Sequence, residues 1–196
     1  MPERKCISII TPCYNEMDNI IPCYDAVRTI FEQALPHYDY EHIFCDNSSS
    51  DKTPDILREL AAADHRVKVI LNARNFGPSR SAFNGMMAAT GQAVLLFLPV
   101  DLQDPPELLP DFVEKWEQGF EVVYGIRASR EEGWLLSKTR TIYYHAVATL
   151  ADITILRDVG DFQFIDRIVV EALRKFDDYH PYLRGMVASC GFRAFG

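Results

Sequence analysis

Four short clusters carry most of the side chains in this chain that can do chemistry. T-P-C-Y-N-E spans residues 11–16, D-N-S-S-S-D-K-T residues 46–53, N-A-R-N-F-G-P-S-R residues 72–80 and D-L-Q-D-P-P-E residues 101–107. Asp101 and Gln103 can present oxygens to a hard divalent cation, Mg²⁺ or Mn²⁺, which prefers carboxylates, amides and substrate phosphates. Asp104, in contrast, has the spacing of a capping box, with Pro105 at the first helical position and Glu107 three residues after the cap. Asp46 and the short donors and acceptors after it suit the edge of a base or a ribose. They suit equally a polar loop that ends in a cap, with Asp51 or Thr53 starting a helix at Pro54. Arg74 and Arg80 flank N-F-G-P-S at a helix start, where guanidinium groups and backbone amides could face a diphosphate, or could simply pair on the surface.

These clusters need a scaffold that brings them together, and the rhythm of the chain supplies one. Short β-branched runs at 6–11, 40–45, 67–72, 93–98 and 121–126 alternate with helical patterns near 19–35, 54–63, 79–89 and 106–118. Such alternation predicts an α/β fold with a mostly parallel sheet and helices on both faces. Open parallel sheets bind ligands beyond the carboxyl ends of their strands, and each cluster directly follows a predicted strand. After residue 126 the alternation breaks. Residues 127–140 carry Arg127, Arg130, Lys138 and Arg140, and apolar residues from Leu135 to Leu150 recur on one helical face, suited either to a core or to a membrane surface. A strand at 162–165 and a helix at 167–176 precede a closing apolar segment, 182–195.

Composition narrows the function further. The chain has 196 residues with 20 Lys+Arg against 28 Asp+Glu, a formal charge of −8, which disfavours nucleic acid as a partner because phosphates need a basic surface. Its length suits one domain, 1–196, in two halves, 1–100 and 101–196. Five cysteines with no C-x-x-C pair read as reduced thiols of a cytoplasmic protein. No apolar stretch approaches the ~20 residues needed to span a bilayer. No G-x-G-x-x-G and no G-K-[ST] occur, so neither dinucleotide fingerprint nor P-loop is available, and none of the five histidines has metal-ligand spacing.

The four clusters in this order, followed by G-I-R-A-S-R, D-V-G-D-F-Q-F-I-D-R and P-Y-L-R-G, resemble the inverting glycosyltransferases of family 2. Within it they are similar to the branch of dolichol-phosphate mannose synthase and the undecaprenyl-phosphate sugar transferases. The resemblance covers nearly the whole chain and implies a GT-A fold and a nucleotide-diphosphate sugar donor, UDP- or GDP-linked. It places Pro12, Tyr14, Glu16 and Asp46, with Asn75 and Arg80, around the nucleotide, Asp101 and Gln103 on the metal, and Asp161 close to the reacting sugar or acceptor. Two positions depart from the pattern: Pro99 stands where the family has the first Asp of D-x-D, and Gln163 where relatives often have Arg.

The reaction this implies is transfer of one sugar, with inversion, to a polyprenyl phosphate at the cytosolic membrane face, as in the making of cell-envelope glycans. A phosphate monoester has a second pKa near ~6, so the acceptor is already an anionic nucleophile at neutral pH and needs no general base. Arg127, Arg130, Lys138 and Arg140 are the candidates to hold it. Two alternatives stay open: transfer to a glycan hydroxyl, for which Asp161 would be the base, and a nucleotide-sugar-binding subunit without catalysis. Homo-oligomerisation is compatible with either. Relatives continue beyond the point that matches Gly196, so a longer native chain with a membrane-associated remainder is expected.

Overall fold

The computed structural model describes residues 4–126, 159–176, 178 and 181–196. Its first strand, β1 (Cys6–Cys13), sets the layering. Ile7, Ile9 and Cys13 face one side of the sheet and Ile10 the other, all of them buried. A strand apolar on both faces requires a helical layer on each.

The chain supplies both layers in alternation: α1 (Ile20–Gln33), β2 (Asp39–Asp46), α2 (Thr53–Ala63), β3 (Val67–Leu71), α3 (Pro78–Ala88) and β4 (Ala93–Leu95). A short 3₁₀ turn (Pro106–Leu108) then leads into α4 (Leu109–Glu117), followed by β5 (Val122–Ile126). The second part contributes β6 (Val159–Asp166), α5 (Arg167–Leu173), α6 (Leu183–Ser189) and β7 (Ala194–Phe195). One core joins α1, α2 and α4 to the sheet through residues such as Val27, Leu57 and Trp116 against Phe44, Leu95 and Phe164. The other joins α3, α5 and α6 through Met86, Val170 and Met186 against Ile43, Val94 and Ile165.

The sheet runs β3-β2-β1-β4-β6-β5-β7. β1 pairs in parallel with both β2 and β4, so strand order reverses between β1 and β4. β6 is antiparallel to β4 and to β5, whereas β7 is parallel to β5, so six strands share one direction and β6 opposes them. The α/β architecture and its mostly parallel sheet are thus as expected. The direction of β6 is set by the fold alone, because an apolar run carries no mark of the direction in which it enters a sheet.

Two local expectations change. The turn before α4 begins at Pro106, not Pro105, and Pro105 is extended at φ −73°, ψ 118°. A residue that precedes proline is pushed out of the helical region, so the Pro105-Pro106 pair delays the helix and removes Asp104 from the cap position. At α2 the helix begins at Thr53, with Asp51 Oδ1 accepting from Thr53 N at 2.9 Å. Arg127, Arg130, Lys138, Arg140 and the helical pattern from Leu135 to Leu150 lie outside the described residues.

Polar groups inside the sheet are tied. Glu41, buried on β2, accepts from Ser8 Oγ at 2.6 Å, from Thr90 N at 2.6 Å and from Lys68 Nζ. Burial alone would raise its carboxyl pKa, but these donors outweigh it and hold the group below the usual range. His42, also on β2 and wholly buried, shares a 2.9 Å hydrogen bond with Thr11 Oγ1, while its Nδ1 has no partner among the described residues. Burial pushes its pKa down to about 3.

This histidine makes folding acid-sensitive. The native state keeps His42 neutral while the unfolded chain takes up a proton below pH ~6.5, so its contribution is complete above that pH and is lost as pH falls toward 3. One such proton gives a slope of ~1.4 kcal/mol per pH unit. Urea unfolding at pH 6 and at pH 4.5 should therefore show the stability advantage of the wild type over His42→Leu shrinking by about 2 kcal/mol. Parallel pH dependences for the two proteins would refute the assignment.

Candidate active site

The crevice beyond the carboxyl ends of β1, β2 and β4 is where strand order reverses, and open α/β sheets bind ligands there. Three non-glycine residues of the described structure have positive φ, and all three sit just past these ends: Asn15 (φ 56°), Ser48 (φ 64°) and Leu102 (φ 56°). Left-handed backbone is costly for L residues and is kept where the surroundings fix it. Here the surroundings are a lattice of side chain to backbone hydrogen bonds. Asn15 N donates to Ser49 Oγ at 2.8 Å, Ser50 N donates to Asn15 Oδ1 at 2.8 Å, and Glu16 N donates to Thr53 Oγ1 at 2.9 Å. The first two clusters of the sequence therefore form one interlocked loop pair.

Asp46 closes β2, opposite Cys13 in the parallel register, and is buried. Its Oδ2 accepts from Ser49 N at 3.1 Å, whereas Oδ1 is buried with no hydrogen-bond partner among the described residues. An ionised carboxylate only accepts, and a buried oxygen left without a donor is costly, so this atom is prepared for an N–H or O–H brought by a ligand. The loop role falls to Asp51, whose carboxylate accepts from Thr53 N, while the buried Oδ1 of Asp46 is the atom of the cluster that could accept from a ligand.

Pro12 is buried in β1 opposite Cys45, Tyr14 is exposed at the rim, and Glu16 is half-buried, with Oε2 accepting from Asn19 Nδ2 at 2.6 Å. Asn75 is exposed and its Oδ1 accepts from Gly77 N at 2.9 Å, so it shapes the turn before α3. That turn requires Gly77 at φ 84°, the cap of α3. The guanidinium groups of Arg74 and Arg80 lie 4.2 Å and 5.9 Å from the Phe76 ring centre.

Asp101 is exposed beyond β4. Its Oδ2 accepts from Gln103 Nε2 at 2.6 Å and its Oδ1 from Gln103 N at 3.3 Å. The two predicted metal-holding residues are thus together. A cation would need the Gln103 amide to turn its oxygen inward, since the nitrogen now faces the carboxylate. No group of three or more His, Cys, Asp or Glu that could hold a metal occurs among the described residues. One carboxylate and one amide oxygen still fit an ion such as Mg²⁺, which takes substrate phosphates and keeps several waters.

On β6, Asp161 Oδ1 lies 3.1 Å from Arg184 Nε, a group of α6 that sequence reading did not single out. Gln163 is buried, with Nε2 donating to Gly160 O at 3.0 Å and Oε1 unpartnered among the described residues. Also unforeseen is the part played by Asn47, Asn72, Ser81 and Asn84, which share hydrogen bonds beneath the loops. Ser81 and Asn84 stand three residues apart on α3, Ser81 buried and Asn84 half-buried.

Residues 8–176 match the family Glycosyl transferase family 2. The chain is 37% identical over 187 residues to an uncharacterized glycosyltransferase of Bacillus subtilis (strain 168), YkcC, covering 95% of this chain and 57% of that protein. It is 34% identical over 186 residues to a prophage bactoprenol glucosyl transferase homolog of Escherichia coli (strain K12), covering 94% and 60%. Among solved structures it is similar to a mannosyltransferase of Pyrobaculum calidifontis in complex with GDP-Man and Mn²⁺. That match has a TM-score of 0.65 and 20% identity, covering 98% of this chain and 55% of the other. The chain spans little more than half the length of these relatives. By its matched residues and its GT-A architecture, the chain belongs to glycosyl transferase family 2.

Proposed function

We propose that this chain carries the donor-binding and catalytic part of an enzyme that moves a sugar, with inversion, from a nucleoside-diphosphate donor to a polyprenyl phosphate at the cytosolic face of a membrane. The observation that carries the donor half is Asp46. Its buried Oδ1, without a hydrogen-bond partner among the described residues, lies at the end of β2 near the reversal of strand order, and a nucleoside can supply the missing donor. The acceptor half is supported by the bactoprenol glucosyl transferases among the relatives, since bactoprenol is a polyprenol.

The division of labour follows from the chemistry. Asp46 and the loops of Tyr14 and Glu16 bind and orient the nucleoside, and the start of α3 with Arg80 faces the diphosphate. Asp101, with Gln103 after its amide rotates, would hold Mg²⁺ or Mn²⁺, which when bound offsets charge on the leaving diphosphate. Arg127, Arg130, Lys138 and Arg140 are proposed to hold the acceptor phosphate, which attacks as an anion without a base. In that scheme Asp161, paired with Arg184, serves to anchor the site. The 1–100 half then reads the donor and the 101–196 half serves metal and acceptor.

Three measurements test this reading. Incubating the full-length protein with UDP- and GDP-sugars and either a short polyprenyl phosphate or soluble glycans should give lipid-linked product only. Product on glycans alone would move the acceptor to a hydroxyl, and donor binding with no turnover on any acceptor would leave a binding subunit. Asp46→Asn, which replaces an ionised acceptor by a neutral one, should weaken nucleoside-diphosphate binding about tenfold or more in calorimetry, as expected for loss of a hydrogen bond to a charged group. Asp101→Asn should lower transfer at saturating Mg²⁺ by at least about tenfold while UDP or GDP still binds without metal; an unchanged rate removes Asp101 from the metal site.

A further inference from the structure

Beneath the crevice, one side chain joins the parts of the molecule that the donor reading treats separately. Asn72 directly follows β3 and is half-buried. Its backbone N donates to Asp46 O at 2.9 Å. Its carboxamide nitrogen donates to Asn47 Oδ1 at 3.1 Å and to Ser81 Oγ at 3.2 Å, and its Oδ1 accepts from Asn84 Nδ2 at 3.0 Å. The partners are themselves fixed: Ser81 Oγ donates to Cys45 O at 3.1 Å, and Asn47 N donates to Cys13 O at 2.9 Å. Both hydrogens and an acceptor lone pair of the amide are used, which sets its orientation. Asn47 is the residue after Asp46, and Ser81 is the residue after Arg80 in the first turn of α3. One carboxamide therefore spans the nucleoside side and the phosphate side of the crevice.

We propose that Asn72 is a positioning residue of the donor site, holding the Asp46 loop and the start of α3 at the separation that lets one nucleoside diphosphate engage both. This role rests on the donor reading above and extends it to a residue that touches no donor atom. A ligand bound at two points gains affinity only when the points are held at the right distance, and a fixed hydrogen-bond bridge supplies that preorganisation. A solely structural Asn72 would affect melting without affecting how much the second phosphate adds. The diagnostic quantity is thus the ratio of diphosphate to monophosphate affinity.

The test is calorimetry of the full-length protein with UDP and GDP, then with UMP or GMP for whichever base binds. Asn72→Asp keeps the size and the acceptor toward Asn84 but removes both donors, and should lower that affinity ratio about tenfold, the effect of two lost hydrogen bonds. Asn47→Ala removes the acceptor at the far end of one bond and should shift the ratio in the same direction, which keeps the test valid if Asn72→Asp does not fold. Asn84→Ala spares both donors and should leave the ratio within about twofold. An unchanged ratio in Asn72→Asp or, failing that protein, in Asn47→Ala overturns the positioning role alone. So does an Asn84→Ala ratio that falls equally. A wild type that binds neither UDP nor GDP overturns the donor reading and this role with it.

Discussion

The parallel pairing of β1 with both β2 and β4 is the constraint on which the rest of the structure depends. It buries a strand on both faces and along both edges, so its residues must be apolar or, like Ser8 and Thr11, hydrogen-bonded within the sheet. It also aligns three carboxyl ends. Cys13 lies opposite Asp46, and Leu98 N donates to Ile10 O beyond the last residue of β4, so the loops that follow leave the sheet side by side. Where strands stop, backbone groups lose their ladder partners and must find others. The clusters at 11–16, 46–53 and 72–80 meet that need with short polar side chains, and the same demand creates a surface rich in oriented donors and acceptors. Structural necessity and ligand capacity thus arise from one arrangement.

Within that surface the charges are unevenly committed. Asp51 accepts from two backbone amides, at Thr53 N and Met17 N, and holds the loops. Asp161 faces Arg184 and Glu16 accepts from Asn19. Asp46 alone among these carboxylates keeps a buried oxygen for which the described residues provide no donor. Commitment separates the carboxylates that support the crevice from Asp46, and burial alone does not: Glu41 is also buried, yet three residues satisfy it. The end beyond β4 is leaner: Asp101 is exposed and its carboxylate accepts from Gln103 alone among the hydrogen bonds of the described residues.

How far the sequence could reveal this differs from level to level. The alternation of β-branched runs and helical patterns was sufficient for the α/β class, because burial on both faces of a parallel strand leaves a run that is mostly apolar on both sides, with the few polar residues inside it, such as Ser8 and Glu41, paired to each other. The clusters were legible for the same reason, since a run such as D-N-S-S-S-D stands out after I-F-C. Strand direction was not legible, because β6 carries F-Q-F-I whichever way it runs, and only its pairing with β4 and β5 decides. The 3₁₀ turn before α4 starts one residue later than the capping spacing implies, because of the restriction that Pro106 places on Pro105.

Asn72 shows the deeper limit. In sequence it is the last residue of a predicted strand, a polar side chain where strands commonly end, and nothing local distinguishes it from Asn75 three positions on. The fold separates them: Asn75 turns back on its own loop at Gly77, whereas Asn72 reaches β2 and α3. The difference is set by β3 lying beside β2 while α3 crosses the opposite face of β1 and β2 from α1, a relation among five elements and not a property of any window of residues. Residues that bind a ligand directly tend to carry their chemistry in their type, and so can be found by pattern. Residues that set distances between such groups carry it in their neighbours. For a crevice assembled from three strand ends, those neighbours determine whether separately competent loops act as one site.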